Sequence, residues 1–464
     1  MRKPIYEGTR WSLVYGSYEG VEKFAVNELQ KTAQLYLPYM IETRQGTGEV
    51  SGHKGHLILA GTASDNKLIG ELVKKGLLSI PSKPEGYVIS CFNSPWSEGK
   101  RVIAIAGSDP NGVLYGVEDF NAKILSHESF DNVKDFTISD YPRIENRGIW
   151  TWGYVIYDYR RFIDNMARLK MNMLAFWNDC PPENCREVID YAHSRGIKAV
   201  LGFHWGWGMD DIDLSNAEHR ARIKGIVLDN YNNNYRGLGM DGIYFQTLTE
   251  HENTRINGRS VASIVCDMVN DISSGLFKDN PGLYIQFGLH ATSIKDSYED
   301  LKSLDPRITI MWEDAGGVVY PFIPSELEFG PGSGENKLRE TIEYSKKLAN
   351  LRNGAEFAMV PKGWTCIDWK CEFEHHGKFI MGERHHDYIH NRLAQKQPYW
   401  DKVNSAWVKE QNYAAEFYRE IRNCTDSKMT VLGLIEDGMF EEKIQPSVEM
   451  FAKTIWDPFA EHKK

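Results

Sequence analysis

The sequence lacks any block of lysine and arginine residues. Its 54 basic residues are outnumbered by 64 acidic ones, which gives a formal net charge of −10 at neutral pH. A surface with this balance repels the phosphate backbone of DNA or RNA. We therefore predict that nucleic acid is not a partner.

Long apolar runs are also absent. No stretch reaches the roughly 18 residues that a membrane-spanning helix requires. The opening MRKPIYEGTRWSLVYG has no continuous apolar core before a small-residue cleavage site. The sequence therefore predicts a cytoplasmic protein with no membrane partner. A secreted form from which an export signal has been trimmed is the alternative.

Cysteine is scarce and irregularly placed. The chain has seven cysteines, an odd number without regular spacing, which favours a reduced compartment over a disulfide framework. No cofactor is predicted, and the oligomeric state stays open.

What the chain does have is enough apolar material for more than one domain. It has 464 residues, of which 42% are hydrophobic, so one large domain and a smaller one are expected. Residues 1–137 indicate a small α/β domain, because HLILAG and RVIAIAGSD are strand-like and each precedes helix-like sequence. A boundary is predicted at residue 138.

Residues 138–464 alternate between apolar strand-like runs and helix-like stretches. The strand-like runs are RGIWTWG, MNMLAFWND, IKAVLGFHWGWG, MDGIYFQTLTEH, GLYIQFGLHAT, ITIMWEDAGG, FAMVPKGW and MTVLGLIEDG. Eight strands separated by helices predict a (β/α)8 TIM barrel, whose active site forms at the C-terminal ends of the strands. The predicted fold class is thus α/β. The long interval after the seventh run predicts an insertion at about residues 370–410.

Carboxylates recur at the ends of these predicted strands. Glu250 ends the fourth, Glu313 and Asp314 end the sixth, and Glu436 and Asp437 end the eighth. Glycoside hydrolysis requires two carboxylates flanking the scissile bond, one as proton donor and one as base or nucleophile. The alternative is that these residues cap the helices that follow each strand.

Tryptophan is concentrated at the same strand ends. Predicted substrate-binding positions are Trp152, Trp177, Trp205, Trp207, Trp312 and Trp364. An indole offers an apolar face to the C–H side of a sugar ring, and its N–H can donate a hydrogen bond. A single tryptophan is also explained by core packing, whereas clustering at one end of the strands favours a carbohydrate site.

The first 150 residues resemble the N-terminal domain of two glycoside hydrolase families. HLILAGTASDNKLIGELVKKGLL, EGYVIS and RVIAIAGSDPNGVLYGVEDF are similar to the domain that precedes the barrel in family 20 β-hexosaminidases and family 67 α-glucuronidases. GSDPNGVLYGVEDF is the most specific part, and the junction ISDYPRIENRGIW is also similar. This resemblance implies a hydrolase that cleaves a terminal sugar, an N-acetylhexosamine or a uronic acid, from an oligosaccharide or glycoconjugate.

The resemblance also suggests roles for individual residues. In the hexosaminidases an Asp–Glu pair ends the fourth strand, with the Glu as acid and the Asp orienting the substrate's acetamido group. Here Glu250 matches the acid but Thr249 replaces the Asp, and MVPKGW offers no carboxylate at the seventh strand end. We therefore predict Glu250 as proton donor and Glu313 or Asp314 as base or nucleophile. Glu252 is the next candidate.

Two further polar residues are candidates for contacts with sugar hydroxyls. His204 follows the third predicted strand, and Lys362 follows the seventh. Lys362 could also pair with the carboxylate of a uronic acid. The competing explanation for His204 is a buried structural histidine. For Lys362 it is an ion pair with one of the carboxylates at the strand ends.

Two other functions stay open from the sequence. HHDYIH places His386 and His390 four residues apart near further histidines, cysteine and glutamates, a composition that could hold zinc in a metal-dependent hydrolase. A carbohydrate-binding protein without catalysis would need the tryptophans alone. Glu313 at a strand end argues against the second possibility.

Overall fold

The structure is a computed structural model in which two compact units are distinguished. It describes residues 9–47, 55–127, 130, 133–178, 180–206, 209, 212–249, 253–290, 293–313, 334–362, 364 and 377–461. The first unit comprises residues 1–142 with 193–196, and the second comprises residues 143–192 with 197–464. No helix among the described residues is long and apolar enough to cross a membrane.

The first unit contains a six-stranded sheet with the strand order β2-β1-β3-β5-β4-β6. Its strands are β1 Trp11–Tyr15, β2 Glu42–Gln45, β3 His56–Thr62, β4 Tyr87–Asn93, β5 Arg101–Gly107 and β6 Phe136–Asp140. Its helices are α1 Gly20–Tyr36, α2 Lys67–Lys74 and α3 Pro110–His127. β1, β2, β3 and β5 pair in parallel, whereas β4 pairs antiparallel with β5 and β6.

The predicted strands of this unit are the central ones of the sheet. HLILAG lies in β3 and RVIAIAG forms β5, and all but the first residue of each strand is buried. Nearly continuous burial is typical of parallel strands covered on both faces. Leu57, Leu59, Val102 and Ala104 from these strands pack with Leu72 of α2 in one core cluster.

A buried carboxyl group lies beside a partly exposed one at the C-terminal end of this sheet. Glu22 of α1 is 6% exposed and hydrogen-bonds Asp65, whose Oδ2 also accepts a bond from the Thr62 hydroxyl at 2.6 Å. Burial first, and then the negative charge of Asp65, raise the pKa of Glu22 from 4.5 to about 8. The folded protein therefore holds a proton on Glu22 at neutral pH.

We expect Glu22→Gln to remove a pH dependence of stability. A raised folded-state pKa means that the free energy of unfolding falls as pH rises from 4.5 towards 8, by up to about 1.4 kcal/mol per pH unit. Glutamine imitates the protonated acid, so the variant should match the wild type near about pH 4 and exceed it near about pH 9. Urea unfolding at both pH values measures this. Glu71→Gln, which removes a partly exposed carboxylate of α2, is the control and should show no such gain.

The second unit is built on a closed eight-stranded parallel barrel, which confirms the predicted fold class. The barrel strands are β7 Asn146–Trp152, β8 Met173–Trp177, β9 Lys198–Gly202, β10 Gly242–Gln246, β13 Tyr284–Leu289, β14 Ile308–Trp312, β15 Phe357–Met359 and β16 Met429–Leu434. Each lies within one of the eight runs recognised in the sequence or overlaps it. The short strands β11 Arg255–Ile256 and β12 Arg259–Ser260 form a separate hairpin.

Helices follow the barrel strands. They are α4 Tyr159–Arg168, α5 Cys185–His193, α6 Ala217–Asn230, α7 Val261–Asp279, α8 Gly334–Ala349, α9 His386–Cys424 and α10 Pro446–Trp456. Side-chain caps fix the N-termini of two of these helices. At α4 the Asp158 side chain accepts bonds from the amides of Arg160 and Arg161, and at α7 the Ser260 side chain accepts one from the amide of Ser263.

The interval between β15 and β16 contains one long helix. α9 has 39 residues and carries Pro398 in its interior. The predicted insertion at 370–410 therefore overlaps the first part of α9 and a segment before it, of which residues 370–376 lie outside the described residues. The predicted boundary at residue 138 stays a prediction.

Alternation along the strands determines which side chains enter the barrel. One buried cluster collects Trp150, Met173, Ala175, Trp177, Val200, Tyr244, Met311, Ala358, Val360, Leu432 and Leu434. These residues occupy alternate positions on seven strands, so they mark the lumen-facing positions. Their neighbours in sequence face the surrounding helices. The lumen is thus a packed core whose upper end lies at the C-terminal ends of the strands.

Candidate active site

One layer of side chains closes the upper end of the lumen. Continuing the alternation to the end of each strand, or into the segment after it, gives one residue per strand, and we call this set the rim layer. It consists of Trp152, Trp177, His204, Gln246, His290, Glu313, Lys362 and Glu436. In a TIM barrel this is the end at which catalytic groups are placed.

Glu313 is the most heavily hydrogen-bonded member of the rim layer. Its Oε1 accepts hydrogen bonds from the Tyr244 hydroxyl and, at 2.7 Å, from Gln246 Nε2. Its Oε2 lies 3.0 Å from His290 Nε2 and 3.8 Å from Lys362 Nζ. Four partners from three other strands or their ends therefore fix this carboxylate, which is 4% exposed.

These partners decide the protonation state of Glu313. Burial alone would raise the pKa, but the positive charge and hydrogen bond of His290, the charge of Lys362 and the hydrogen bond of Tyr244 outweigh it. The pKa of Glu313 is thereby lowered to about 2. Glu313 is consequently an anion at neutral pH, suited to accept a proton, attack an electrophilic carbon or stabilise positive charge. It is unsuited to be the proton donor.

A glycine makes room for this arrangement. A Cβ atom at Gly288 of β13 would lie 2.2 Å from Glu313 Oε1 and 2.4 Å from the Tyr244 hydroxyl oxygen. Both distances are too short for any side chain, so the Tyr244–Glu313 hydrogen bond requires glycine at this position.

The opposite side of the rim layer is aromatic. Trp152 and Trp177 are at the ends of adjacent strands, with ring centroids 6.0 Å apart in an edge-to-face arrangement. Tyr154 stacks on Trp152 at 6.0 Å, and Trp150 lies beneath both indoles. The rim layer is therefore apolar at the first two strands and polar at the other six.

Three of the predicted substrate-binding tryptophans face away from the lumen, which corrects their assignment. Trp205 stacks on Phe245 with centroids 3.6 Å apart, on the outer face of the sheet. Trp312 packs on Tyr344 of α8 at 5.0 Å, and Trp364 stacks on Trp407 of α9 at 5.0 Å. For Trp205 and Trp312 the physical reason is the strand alternation, since both are out of phase with the lumen-facing residues. Trp364 lies beyond the end of β15, where it bridges in parallel to Ile435 instead of continuing the alternation of that strand.

The two polar candidates belong to the rim layer. His204 is placed there by alternation from Val200, and it is partly exposed. Lys362 has a side chain that is 22% exposed and forms the long ion pair with Glu313. Their contacts with a substrate stay predictions, although the ion pair anticipated for Lys362 is present.

Several predicted residues cannot be placed. Glu250, Glu252, Asp314 and Trp207 lie outside the described residues. The structure does describe Thr249, whose backbone carbonyl accepts bonds from the Ser293 amide at 3.2 Å and the Ser293 hydroxyl at 2.5 Å. The end of the fourth strand is thus fixed up to the residue that precedes Glu250.

The histidines of HHDYIH form a different kind of group. The rings of His386 and His390 are stacked with centroids 6.3 Å apart, and both lie beside Glu442, at 3.1 and 3.9 Å. Within the part of the chain that the structure describes, no group of three or more His, Cys, Asp or Glu residues is arranged to hold a metal.

Sequence reasoning missed three residues that surround Glu313. His290 and Gln246 are the lumen-facing residues at the ends of the fifth and fourth strands, and Tyr244 lies one layer below. A signal for them exists, because alternation along GIYFQ gives Tyr244 and Gln246, and continuing the alternate positions from Tyr284 past the end of YIQFGL gives His290. That Gln246 and His290 bond the same carboxylate follows only from the folded barrel.

Comparison with known proteins supports the fold and nothing narrower. No protein-family profile and no curated protein matches the sequence. A solved structure described as "Structure of CpGH84B" superposes with a TM-score of 0.53 at 14% identity, covering 96% of this chain and 68% of that chain. Another, of a GH138 enzyme targeting pectin rhamnogalacturonan II, superposes with a TM-score of 0.52 at 12% identity, covering 98% of this chain and 51% of that one.

The two structures just described are glycoside hydrolases, of families GH84 and GH138. This chain spans about half the length of one and about two thirds of the other. At 12 and 14% identity the likeness shows a shared fold. It does not test the resemblance of the N-terminal sequence to families 20 and 67. The protein therefore has the barrel and N-terminal sheet architecture that is found in glycoside hydrolases.

Proposed function

We propose that this protein is a glycoside hydrolase whose ionised carboxylate is Glu313. The observation that carries the proposal is the placement of Glu313 in the rim layer, held as an anion by His290 and Lys362 and oriented by Tyr244 and Gln246. A buried anion at the C-terminal end of a barrel strand is costly unless it is paired. Its position therefore favours chemistry over helix capping.

The reaction requires a second group that donates a proton to the leaving oxygen. Glu313 is excluded from that role by its lowered pKa. Glu250, one residue after Thr249, is the sequence's candidate donor, and we propose it for this role. Glu313 then acts as base or nucleophile, with the neighbouring Asp314 as the alternative.

The composition of the rim layer suits a sugar ring. The partly exposed indole of Trp152, backed by the buried Trp177, offers an apolar face on one side, while Gln246, His290 and Lys362 on the other offer polar groups. A sugar presents C–H groups and hydroxyls on different faces, so such a divided surface orients it. The substrate we propose is a terminal N-acetylhexosamine or uronic acid in an oligosaccharide or glycoconjugate.

A screen of aryl glycosides tests the proposal. We expect hydrolysis of a hexosaminide or a glucuronide, and dialysis against a chelator should leave the rate unchanged. Proton NMR of the first-formed anomer then shows whether the configuration is retained or inverted. Absence of hydrolysis across a panel that covers both sugar classes overturns the proposal. Loss of activity on chelation that zinc restores would favour a metal-dependent hydrolase instead.

A further inference from the structure

Asp437, the residue after the rim-layer Glu436, has an unusual backbone and a buried side chain. Its φ is +56°, in the left-handed region that non-glycine residues rarely adopt. Its carboxylate accepts a bond at 2.8 Å from the Tyr157 hydroxyl, and bonds at 3.0 and 2.6 Å from Nε and Nη2 of Arg392. Lys396 Nζ lies 3.1 Å away. Several charged contacts thus hold a strained turn directly beside the site.

The donors to Asp437 come largely from one face of α9. Arg392 and Lys396 bind the carboxylate, and the indole Nε1 of Trp400 donates to the Asp437 carbonyl at 3.1 Å. These three residues are spaced four apart, so they form a single stripe along the helix. The first half of α9 is therefore fastened to the chain that leaves β16.

The same half of α9 packs on the chain that leaves β7. Ile389 lies in a buried cluster with Val155, Tyr157 and Met439, and Leu393 packs against it. Trp152 and Tyr154 are packed against the same cluster. Tyr157 links the two sides, because its hydroxyl binds Asp437 and its ring contacts Tyr388 of α9 at 5.4 Å.

We infer that Asp437 is a positioning residue of the active site. Through Arg392 and Lys396 it holds the first half of α9 against the ends of β7 and β16, and thereby fixes Trp152 and Glu436 in the rim layer. This inference rests on the proposed function. In this arrangement α9 supports the aromatic side of the rim layer, where we propose that the sugar ring binds.

The charge on Asp437 is the element that gives this contact its rigidity. A bidentate guanidinium–carboxylate pair restricts both partners to one geometry. A lysine amine lacks the planar, forked set of N–H donors and does not impose this restriction. If the contact loosens, Trp152 and Glu436 lose their fixed positions although neither is altered. Misplacement of site groups by about 1 Å can cost a rate of about 100-fold.

Asp437→Asn and Arg392→Lys test this inference. Asparagine keeps the shape and tolerates the left-handed backbone, so it removes the charge alone. We expect kcat/KM on the best aryl glycoside to fall by roughly 10- to 100-fold in Asp437→Asn and by less in Arg392→Lys. The double variant should lose no more than Asp437→Asn, because both changes act on one contact. Glu420→Gln, which breaks the 2.7 Å ion pair of α9 with Lys346 far along the helix, should stay within about twofold of the wild type.

Amide hydrogen exchange separates this inference from the proposed function. Exchange in residues 386–400 should be faster in Asp437→Asn than in the wild type and unchanged in Glu420→Gln. Unchanged exchange in Asp437→Asn overturns the anchoring, whether or not any glycoside is cleaved. Faster exchange with wild-type kcat/KM shows that the contact is structural only and overturns the positioning role. A wild type that cleaves no glycoside overturns the proposed function, while the exchange result still decides the anchoring.

Discussion

Glu313→Gln is expected to lower kcat/KM by about a thousandfold. The variant keeps a side chain of the same shape but removes the anion that His290 and Lys362 surround. A reaction that develops positive charge at the anomeric carbon loses its stabilising or attacking carboxylate. Steady-state kinetics on the substrate identified by the aryl glycoside screen, with melting temperatures alongside, measure the loss.

Glu356→Gln is the matched control for this variant. Glu356 is a carboxylate at the opposite, N-terminal end of the same barrel, where it accepts bonds from the Tyr284 hydroxyl at 2.7 Å and Asn146 Nδ2 at 3.1 Å. Its replacement should reduce stability but leave kcat/KM of the folded enzyme nearly unchanged, because this end of a TIM barrel does not carry the reaction.

Small anions and a neighbouring variant distinguish the roles at this strand end. Azide or formate should partly restore the rate of Glu313→Ala if a missing nucleophile or base is the cause. Asp314→Asn should be much less affected. If Asp314→Asn is the inactive variant and Glu313→Gln retains most of its rate, Glu313 serves as an orienting group and our assignment is wrong.

The barrel could be predicted from sequence because its signal is local. Each run such as YIQFGL or TVLGL is a short apolar segment with a helix-like stretch after it, and eight repeats of that pattern fit few other folds. The identification of strand ends as the active-site end followed from the fold class alone. Glu313 was therefore accessible to sequence reasoning before its partners were known.

The number of tryptophans that face the site was overestimated, and the sequence itself contains the reason. Neighbouring residues on a strand face opposite sides, so His204 and Trp205 cannot both enter the lumen, nor can Trp312 and Glu313. Once Glu313 is taken as a lumen residue, Trp312 must face the helices, as its contact with Tyr344 shows. Clustering at strand ends placed these indoles at the correct height in the barrel but not on the correct face.

The environment of Glu313 could not be obtained from the sequence. Tyr244, His290 and Lys362 are each 23 or more residues away along the chain, and their convergence depends on the stagger of adjacent strands. The lowered pKa of Glu313 is the balance between burial and several favourable contacts. The cationic partners outweigh burial, which keeps Glu313 ionised and distinguishes it from the proton donor.

Glu250→Gln is expected to lower turnover by roughly 10²- to 10⁴-fold, the usual contribution of a general acid, without unfolding the protein. The physical reason is that the glycosidic oxygen of an alcohol is a poor leaving group unless it is protonated as the bond breaks. The loss should therefore depend on the leaving group. Alkyl glycosides should lose the most, and aryl glycosides with strongly acidic phenols should retain much of their rate.

A series of leaving groups with graded acidity measures this dependence, and Glu252→Gln serves as the neighbouring control. For Glu250→Gln the slope of log(kcat/KM) against leaving-group pKa should be much steeper than for the wild type, while Glu252→Gln should keep the wild-type slope. Near wild-type rates across the whole series would identify Glu250 as a structural residue. A steep slope in Glu252→Gln alone would transfer the proton-donor role two residues along the chain. Since His290 and Lys362 hold Glu313 as an anion, the donor is in either case a group other than Glu313.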